Sequence, residues 1–305
     1  MRIFKNRGDF YFSKTNKEKS NEQKILIFAL VFIIVFTVVF LLITAVKNDF
    51  SAKEFFRPDD LEVSNEYIQE ETPLPEVEGK TNFIATVNSE GKLLFVSLIQ
   101  VDLDNLSYKC SVLRADTVYD GNTFSSIYSN SSAENLKTAV ETLLNTSFDY
   151  YFDMSSSAFA DFYDEMGKVS IPFPSEIKYK SNSSEVPYSV KIKAGEQSVS
   201  GTAFISLIRY YLDTESYNAA NELMLNSMLQ HMNRDNLAKS EDLFNTFITS
   251  SESNISVRVF SLASDALEVL CDGRSAVKIY SAQPEYDGVS ISKEGLKSIK
   301  GYFVK

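Results

Sequence analysis

Twenty-two consecutive residues, Ile25 to Val46 (ILIFALVFIIVFTVVFLLITAV), carry no charge and only two hydroxyl side chains, Thr37 and Thr44. At about 1.5 Å per helical residue the run reaches roughly 33 Å, enough to cross a hydrocarbon core of about 30 Å. Lys24 and Lys47 bracket it. A cleaved signal peptide would have a shorter apolar stretch followed by a small-residue cleavage site, and neither is seen. The run therefore predicts one retained transmembrane helix over 25–46, which divides the chain into a short tail and a large remainder.

Charge orients the two parts. The tail, residues 1–24, holds seven basic residues (Arg2, Lys5, Arg7, Lys14, Lys17, Lys19 and Lys24) against Asp9, Glu18 and Glu22. Positive charge stays on the cytoplasmic side, which puts residues 47–305 outside. The basic tail can also touch anionic headgroups at the membrane surface. Removing its seven basic and three acidic residues from the chain's 30 and 41 leaves 23 and 38, a net of −15. So acidic a domain lacks the basic face that nucleic-acid binding requires. Any phosphate it holds must be gripped by a few placed arginines, not drawn in by the general field.

Residues 47–80, including RPDDLEVSNEYIQEETPLPEVEGK, combine carboxylates and three prolines without sustained periodicity, and read as an extended linker. The remaining residues, 81–305, suffice for one good-sized core. Cys110 and Cys271 are far apart and lie in apolar stretches, so two buried thiols are expected and a disulfide framework is excluded.

Within 81–305, Asn82–Val87 and Leu93–Val101 read as strands joined by a turn at Ser89-Glu90-Gly91, the second apolar enough to be central. Tyr108–Leu113 is a third. Ser131 and Glu134 have capping-box spacing before a helix whose stripe is Leu136, Ala139, Val140, Leu143 and Leu144, with Asn145 as its end. Phe148, Tyr150 and Phe152 alternate as in a strand. Phe159, Phe162, Tyr163 and Met166 then recur at helical spacing until Gly167.

A strand (KVSIPFP), a polar loop at residues 181–185 and another strand (YSVKIKAGE) follow. Helices are expected from Ser200 with Phe204, Ile205, Ile208 and Leu212 inward, then over 218–233, 240–248 and 261–270. The strand AVKIYSA and the helix SKEGLKSIKGYF close the chain. This alternation predicts an α/β fold with a largely parallel or mixed central sheet flanked by helices on both faces.

Many chemistries are excluded. A single histidine, His231, on a Met- and Leu-rich helix rules out an imidazole-built zinc site and reads as a structural or surface residue. No glycine-rich phosphate loop is present. Arginine and carboxylate chemistry remains, with guanidinium forks holding phosphate oxygens and carboxylates holding magnesium. Arg114 and Asp116, in SVLRADTV, fall at the end of the third strand, where open α/β sheets present their loops. Arg209 and Asp213, in IRYYLDT, are spaced to share one helix face; an ordinary intrahelical ion pair would have the same spacing.

From about Lys80 to the C-terminus these stretches resemble the LytR-CpsA-Psr family of bacterial cell-envelope proteins. SVLRADTV stands where the family has serine-isoleucine-proline-arginine-aspartate-threonine. ENLKTAVETLLNTSFDYYFDMSSSAFADFYDEMGKVSIPFP is similar to the family's helix, aromatic strand, helix and valine-rich strand. KIKAGEQSVSGTAFISLIRYYLD resembles its lysine-alanine-glycine, glycine-x-alanine-leucine and tyrosine-x-arginine-x-arginine stretch. The closing segments FITSSESNISVRVFSLA and YDGVSISKEGLKSIKGYF are also similar.

The resemblance implies a short cytoplasmic tail, one membrane helix and an extracellular domain, as charge and hydropathy also indicate. It further implies a hydrophobic pocket for a polyprenyl lipid, with arginines and magnesium-bound carboxylates on the pyrophosphate. Such proteins transfer glycopolymers from that carrier to peptidoglycan. On this reading Arg114 and Asp116 are catalytic, Arg114 and Arg209 bind phosphate, and Asp116 and Asp213 hold magnesium.

Several positions depart from the pattern. Gly91-Lys92-Leu93 stands where the family has an aspartate before the second strand, and Ala115 separates Arg114 from Asp116. Tyr211 replaces a second arginine, and NAANE, residues 218–222, replaces an arginine-arginine-glutamine cluster. The expectations are a glycopolymer transferase with an eroded site or, alternatively, a non-catalytic lipid- or protein-binding scaffold in wall assembly. The topology is checked on spheroplasts: the chain is expected to survive alkaline washing of membranes, and external protease to remove 47–305 while sparing the tail.

Overall fold

The computed structural model of the protein describes residues 73–182, 185–274 and 276–304. The expected tail, membrane helix and most of the linker lie outside these residues. Among the described residues no helix is long and apolar enough to cross a membrane.

In chain order the first elements are β1 (Lys80–Ser89), β2 (Lys92–Asp102), β3 (Ser107–Arg114), β4 (Val118–Tyr119), β5 (Asn122–Thr123), α1 (Phe124–Asn130) and α2 (Ala133–Leu144). Next come β6 (Tyr150–Ser155), α3 (Ser156–Met166), β7 (Val169–Phe173), β8 (Ile177–Lys180), β9 (Ser189–Ile192) and β10 (Gly195–Val199). Then follow α4 (Gly201–Asp213), α5 (Tyr217–His231), α6 (Arg234–Ala238), α7 (Ser240–Ser250), β11 (Ser251–Ser253), α8 (Val257–Leu262) and α9 (Ser264–Cys271). The last are β12 (Lys278–Ser281), β13 (Tyr286–Asp287), β14 (Ser290–Ile291) and α10 (Lys293–Tyr302).

The main sheet runs β11-β6-β1-β2-β3-β12. β1 and β2, at its centre, are buried over most of their length, β2 more completely than β1. Alternating side chains of β2 enter two separate cores. Phe95 and Ile99 join Tyr108, Cys110 and Val112 of β3 beneath α3, α4 and α5, with Tyr163, Phe204, Leu207 and Leu223. Val96 and Leu98 face the other way, with Ile84 and Leu113, beneath α1, α2 and α10, where Phe124, Leu136, Val140 and Ile299 are buried. Helices therefore cover both faces, as expected. The sheet is mixed and not largely parallel: β1–β6 and β3–β12 are its parallel ladders, while β1–β2, β2–β3 and β6–β11 are antiparallel.

Gly201 opens α4, and a Cβ there would sit 2.4 Å from the Ala160 carbonyl oxygen of α3. Only glycine permits this crossing without displacing backbone. Ser200 caps α4, and Phe204, Ile205, Ile208 and Leu212 are buried as its stripe requires. Both cysteines are buried and free. His231 is buried, bonded to the Gly167 carbonyl at 2.7 Å and edge-on to Tyr163 at 4.6 Å, a structural placement.

The structure corrects several element boundaries. Ser132, not Ser131, caps α2 by accepting from the Asn135 N–H, while Ser131 ends α1. The expected strand YSVKIKAGE is two strands broken before Gly195, at φ +90°, with β9 on β8 and β10 on β7. The helix expected over 261–270 is split at Ala263 into α8 and α9.

A polar chain crosses the second face. Asp102, 1% exposed, receives Lys109 at 3.3 Å and faces Lys80 at 3.7 Å. Lys109 also donates to Gln100, Gln100 to Asn82, and Asn82 to the Phe303 carbonyl after α10. Burial by itself would raise the Asp102 carboxyl, but hydrogen bonds from Asn105 and Lys109 and the charge of Lys80 outweigh it and hold the carboxyl below its ordinary range. A depressed folded value means that this stabilisation is present above about pH 4 and is lost as pH falls through the folded value. Asp102→Asn is expected to cost about 1–3 kcal/mol at neutral pH. In urea unfolding series, the gap to wild type should shrink as pH falls below about 4.

Candidate functional site

Antiparallel pairing sets Phe95 opposite Arg114, so the first residues of β2 lie beside the last residue of β3. At this sheet end a cleft of about 580 Å³ opens, lined from β2 by Lys92, from the β3 end by Arg114 and Asp116, and from α4 by Arg209 and Asp213. Tyr179 of β8 and Val186 of the loop before β9 complete one wall. The two arginines and two aspartates picked out in the sequence thus line one cleft, although some 95 residues separate the pairs.

A turn after β3 fixes the first pair. The Thr117 hydroxyl and N–H both bond the Arg114 carbonyl, at 2.7 and 3.2 Å, which folds Asp116 back toward Arg114. The Arg114 Nε donates to Asp116 Oδ1 at 2.7 Å and its Nη2 to Oδ2, a two-point fork. Nη1 reaches the Tyr217 hydroxyl at 3.4 Å, and the guanidinium lies 5.4 Å from the Tyr286 ring. The bond to Asp116 outweighs burial and raises Arg114 above its ordinary value, so the cation is secure. Arg114 is half-buried, whereas Asp116 is exposed, which leaves the pair open to competition from an entering anion.

The second pair is not an intrahelical ion pair. Arg209 stacks on the Tyr188 ring, 4.0 Å to its centre, and its Nη2 donates to the Val186 carbonyl at 2.6 Å. The Tyr188 hydroxyl donates to Asp213 at 2.5 Å, and that of Tyr179 at 3.2 Å. Tyr188 therefore stands between Arg209 and Asp213. Asp213 ends α4, where the helix dipole disfavours a carboxylate, and the two phenols offset that cost. Burial, followed by the bond to Asp213, pushes the Tyr188 hydroxyl up, so it remains a donor. Burial pulls Arg209 down, offset in part by Tyr188 and Asp213.

Pattern reasoning missed the tyrosines that build this site, because a tyrosine in an aromatic-rich chain has no distinguishing spacing. It also missed Asn221. Its Oδ1 accepts from the Val112 N–H at 2.7 Å, and its Nδ2 donates to the Ser281 hydroxyl and the Ala282 carbonyl. Within the stretch that replaces the resembled cluster, this buried residue ties β3 to the chain beyond β12.

Magnesium does not fit these donors as they stand. Of the four lining carboxylates, Asp116 has both oxygens on Arg114, Asp213 accepts two phenols and Glu185 faces Lys92 at 3.8 Å, which leaves Glu215. Among the described residues no group of three His, Cys, Asp or Glu could hold a metal ion.

The LytR_cpsA_psr family model matches residues 98–294, well over half of the chain. The protein belongs to that family. Its fold is similar to a crystal structure described as a transcription regulator from Eubacterium siraeum, at TM-score 0.64 and 17% identity over 80% of this chain and 98% of that one. B. subtilis TagV is similar at TM-score 0.56 and 17% identity, covering 74% and 96%. TagT bound to LI-WTA is similar at TM-score 0.53 and 13% identity, covering 77% and 94%. No curated protein sequence matches the chain.

Tyr286 anchors the turn from below. Its hydroxyl, pushed up to about 12 by burial, accepts from the Arg114 N–H at 3.1 Å and shares a bond with Thr117 at 2.9 Å. Tyr286→Phe leaves the Arg114 N–H without this acceptor and takes one of two bonds from the Thr117 hydroxyl, and is expected to lower stability by about 1–2 kcal/mol, measured by thermal unfolding at neutral pH.

Proposed function

We propose that this protein is a membrane-anchored cell-envelope protein, tail inside and domain outside, whose cleft takes the pyrophosphate of a polyprenyl-linked glycopolymer. The reaction is transfer of that polymer to peptidoglycan. The observation that carries the reading is the meeting of Arg114 and Arg209 at one cleft from separate elements. Two guanidinium groups suit a pyrophosphate because each can form paired, charge-assisted bonds to its oxygens. TagT, similar in fold, is bound to LI-WTA, which accords with a glycopolymer ligand.

In the transfer an acceptor hydroxyl of peptidoglycan forms a bond to the sugar-bearing phosphorus. The bond from that phosphorus to the bridging oxygen breaks, and polyprenyl phosphate leaves. Asp116 is the carboxylate assigned to take the acceptor's proton, since phosphate arriving at Arg114 displaces it from the fork. Charge neutralisation and positioning supply most of the rate in such a displacement. A second reading, a scaffold that binds the carrier without transfer, is favoured by one feature: Asp116 and Tyr217 already engage Arg114.

The test uses the full-length chain in detergent micelles with a polyprenyl pyrophosphate. Arg114→Ala and Arg209→Ala are each expected to weaken binding by about tenfold or more. Transfer of lipid-linked polymer to peptidoglycan then separates the readings: binding without transfer selects the scaffold. Absence of binding by a folded wild-type protein overturns both.

A further inference from the structure

Lys92 opens β2 and lines the same cleft as Arg114 and Arg209, where the resembled pattern has a carboxylate. We infer that Lys92 is a third phosphate-binding cation and that this site binds pyrophosphate without a divalent metal. The inference rests on the phosphate-binding reading above and specifies how the anion's charge is neutralised.

Three observations converge on it. The cleft's cations come from three elements, Lys92 from β2, Arg114 from β3 and Arg209 from α4, so an anion in it has positive charge offered from three separate parts of the fold. Lys92 is loosely held: its partner is Glu185 at 3.8 Å, and the two side chains are 50% and 76% exposed. An exposed pair of this kind contributes little, and the ammonium can turn to a better partner at small cost. Neither aspartate of the cleft is free for a hard cation, and its other carboxylates are Glu185, which faces Lys92, and Glu215, a single residue. Magnesium asks for oxygen ligands in near-octahedral order, commonly one or two carboxylates with substrate phosphate and water. Here Asp116 is committed to Arg114 and Asp213 to Tyr179 and Tyr188. A lysine at the cleft repels a dication that a carboxylate in the same place would attract.

A lysine also does part of a metal's work. It brings a compact, strongly hydrated positive charge on a flexible stem, able to follow a pyrophosphate oxygen as the anion settles between the arginines. The exchange at Arg114 is then between anions, Asp116 leaving as phosphate arrives, and needs no cation to hold Asp116 aside.

The experiment is calorimetric titration of inorganic pyrophosphate into the full-length chain in detergent micelles, once in EDTA and once in magnesium chloride. Wild type is expected to bind in EDTA. Lys92→Ala should weaken that binding by roughly tenfold or more, and Lys92→Arg should retain it. Lys92→Asp should bind only when magnesium is present, and should take up Mn²⁺, read by its paramagnetic resonance, more strongly than wild type. Lys92 lies at an exposed turn, so these variants are expected to fold, which circular dichroism checks. Binding by wild type that appears only with magnesium overturns the inference and leaves the phosphate-binding reading intact, as does Lys92→Ala binding like wild type. No pyrophosphate binding under either condition overturns both.

Discussion

The fold depends on the burial of β2 on both faces. A strand with Phe95 and Ile99 on one side and Val96 and Leu98 on the other cannot face water on either, so helices must cover it twice. One layer is α3, α4 and α5, and the other is α1, α2 and α10, each with its own core. Burying the central strands also places a strict demand on their polar groups. The chain from Asn82 through Gln100 and Lys109 to Asp102 meets it in part, across three strands, while the buried hydroxyls of Ser97, Ser107, Tyr108 and Ser111 have no partner among the described residues.

The same strand positions the site. Because β2 and β3 are antiparallel, the start of one and the end of the other arrive together, bringing Lys92 and Arg114 to a single cleft. α4 then contributes Arg209 and Asp213 from above, its approach to α3 set by Gly201. The resulting cleft balances itself internally. Arg114 is forked by Asp116, and Tyr188 links Arg209 to Asp213. In a domain as acidic as this one, the surrounding field does not concentrate anions. Any anion taken into the cleft would therefore have to be gripped locally, by replacing Asp116 on a cation that is already oriented.

The positions that depart from the family pattern have found structural work. Asn221 bonds the Val112 N–H and the Ala282 carbonyl, closing the β3 edge beyond its ladder with β12. Tyr211 packs against the first core, beside Tyr210.

The sequence alone determined what local periodicity and composition can encode. Leu93–Val101 read as a central strand, the α2 stripe of Leu136, Val140 and Leu144 as buried, Asn145 and Gly167 as helix ends, and His231 as a structural or surface residue, and each is found so, His231 as the former. Where the signal was weaker, the reading slipped. α1 (FSSIYSN) spans seven residues, so the stripe of Phe124, Ile127 and Tyr128 is too short a period to stand out. The break before Gly195 turns on a backbone φ that the alternation of YSVKIKAGE hides. Arg114 with Asp116 and Arg209 with Asp213 were legible as closely spaced pairs of opposite charge. Their meeting was not, and neither were the partners of Arg209 and Asp213. A spacing of four fits an ion pair as well as two residues held apart by a ring, and only the tertiary structure brings Tyr188 between them. Contacts across many intervening residues depend on how strands pair and helices cross, and that information resides in the packing of the whole chain and in no single segment.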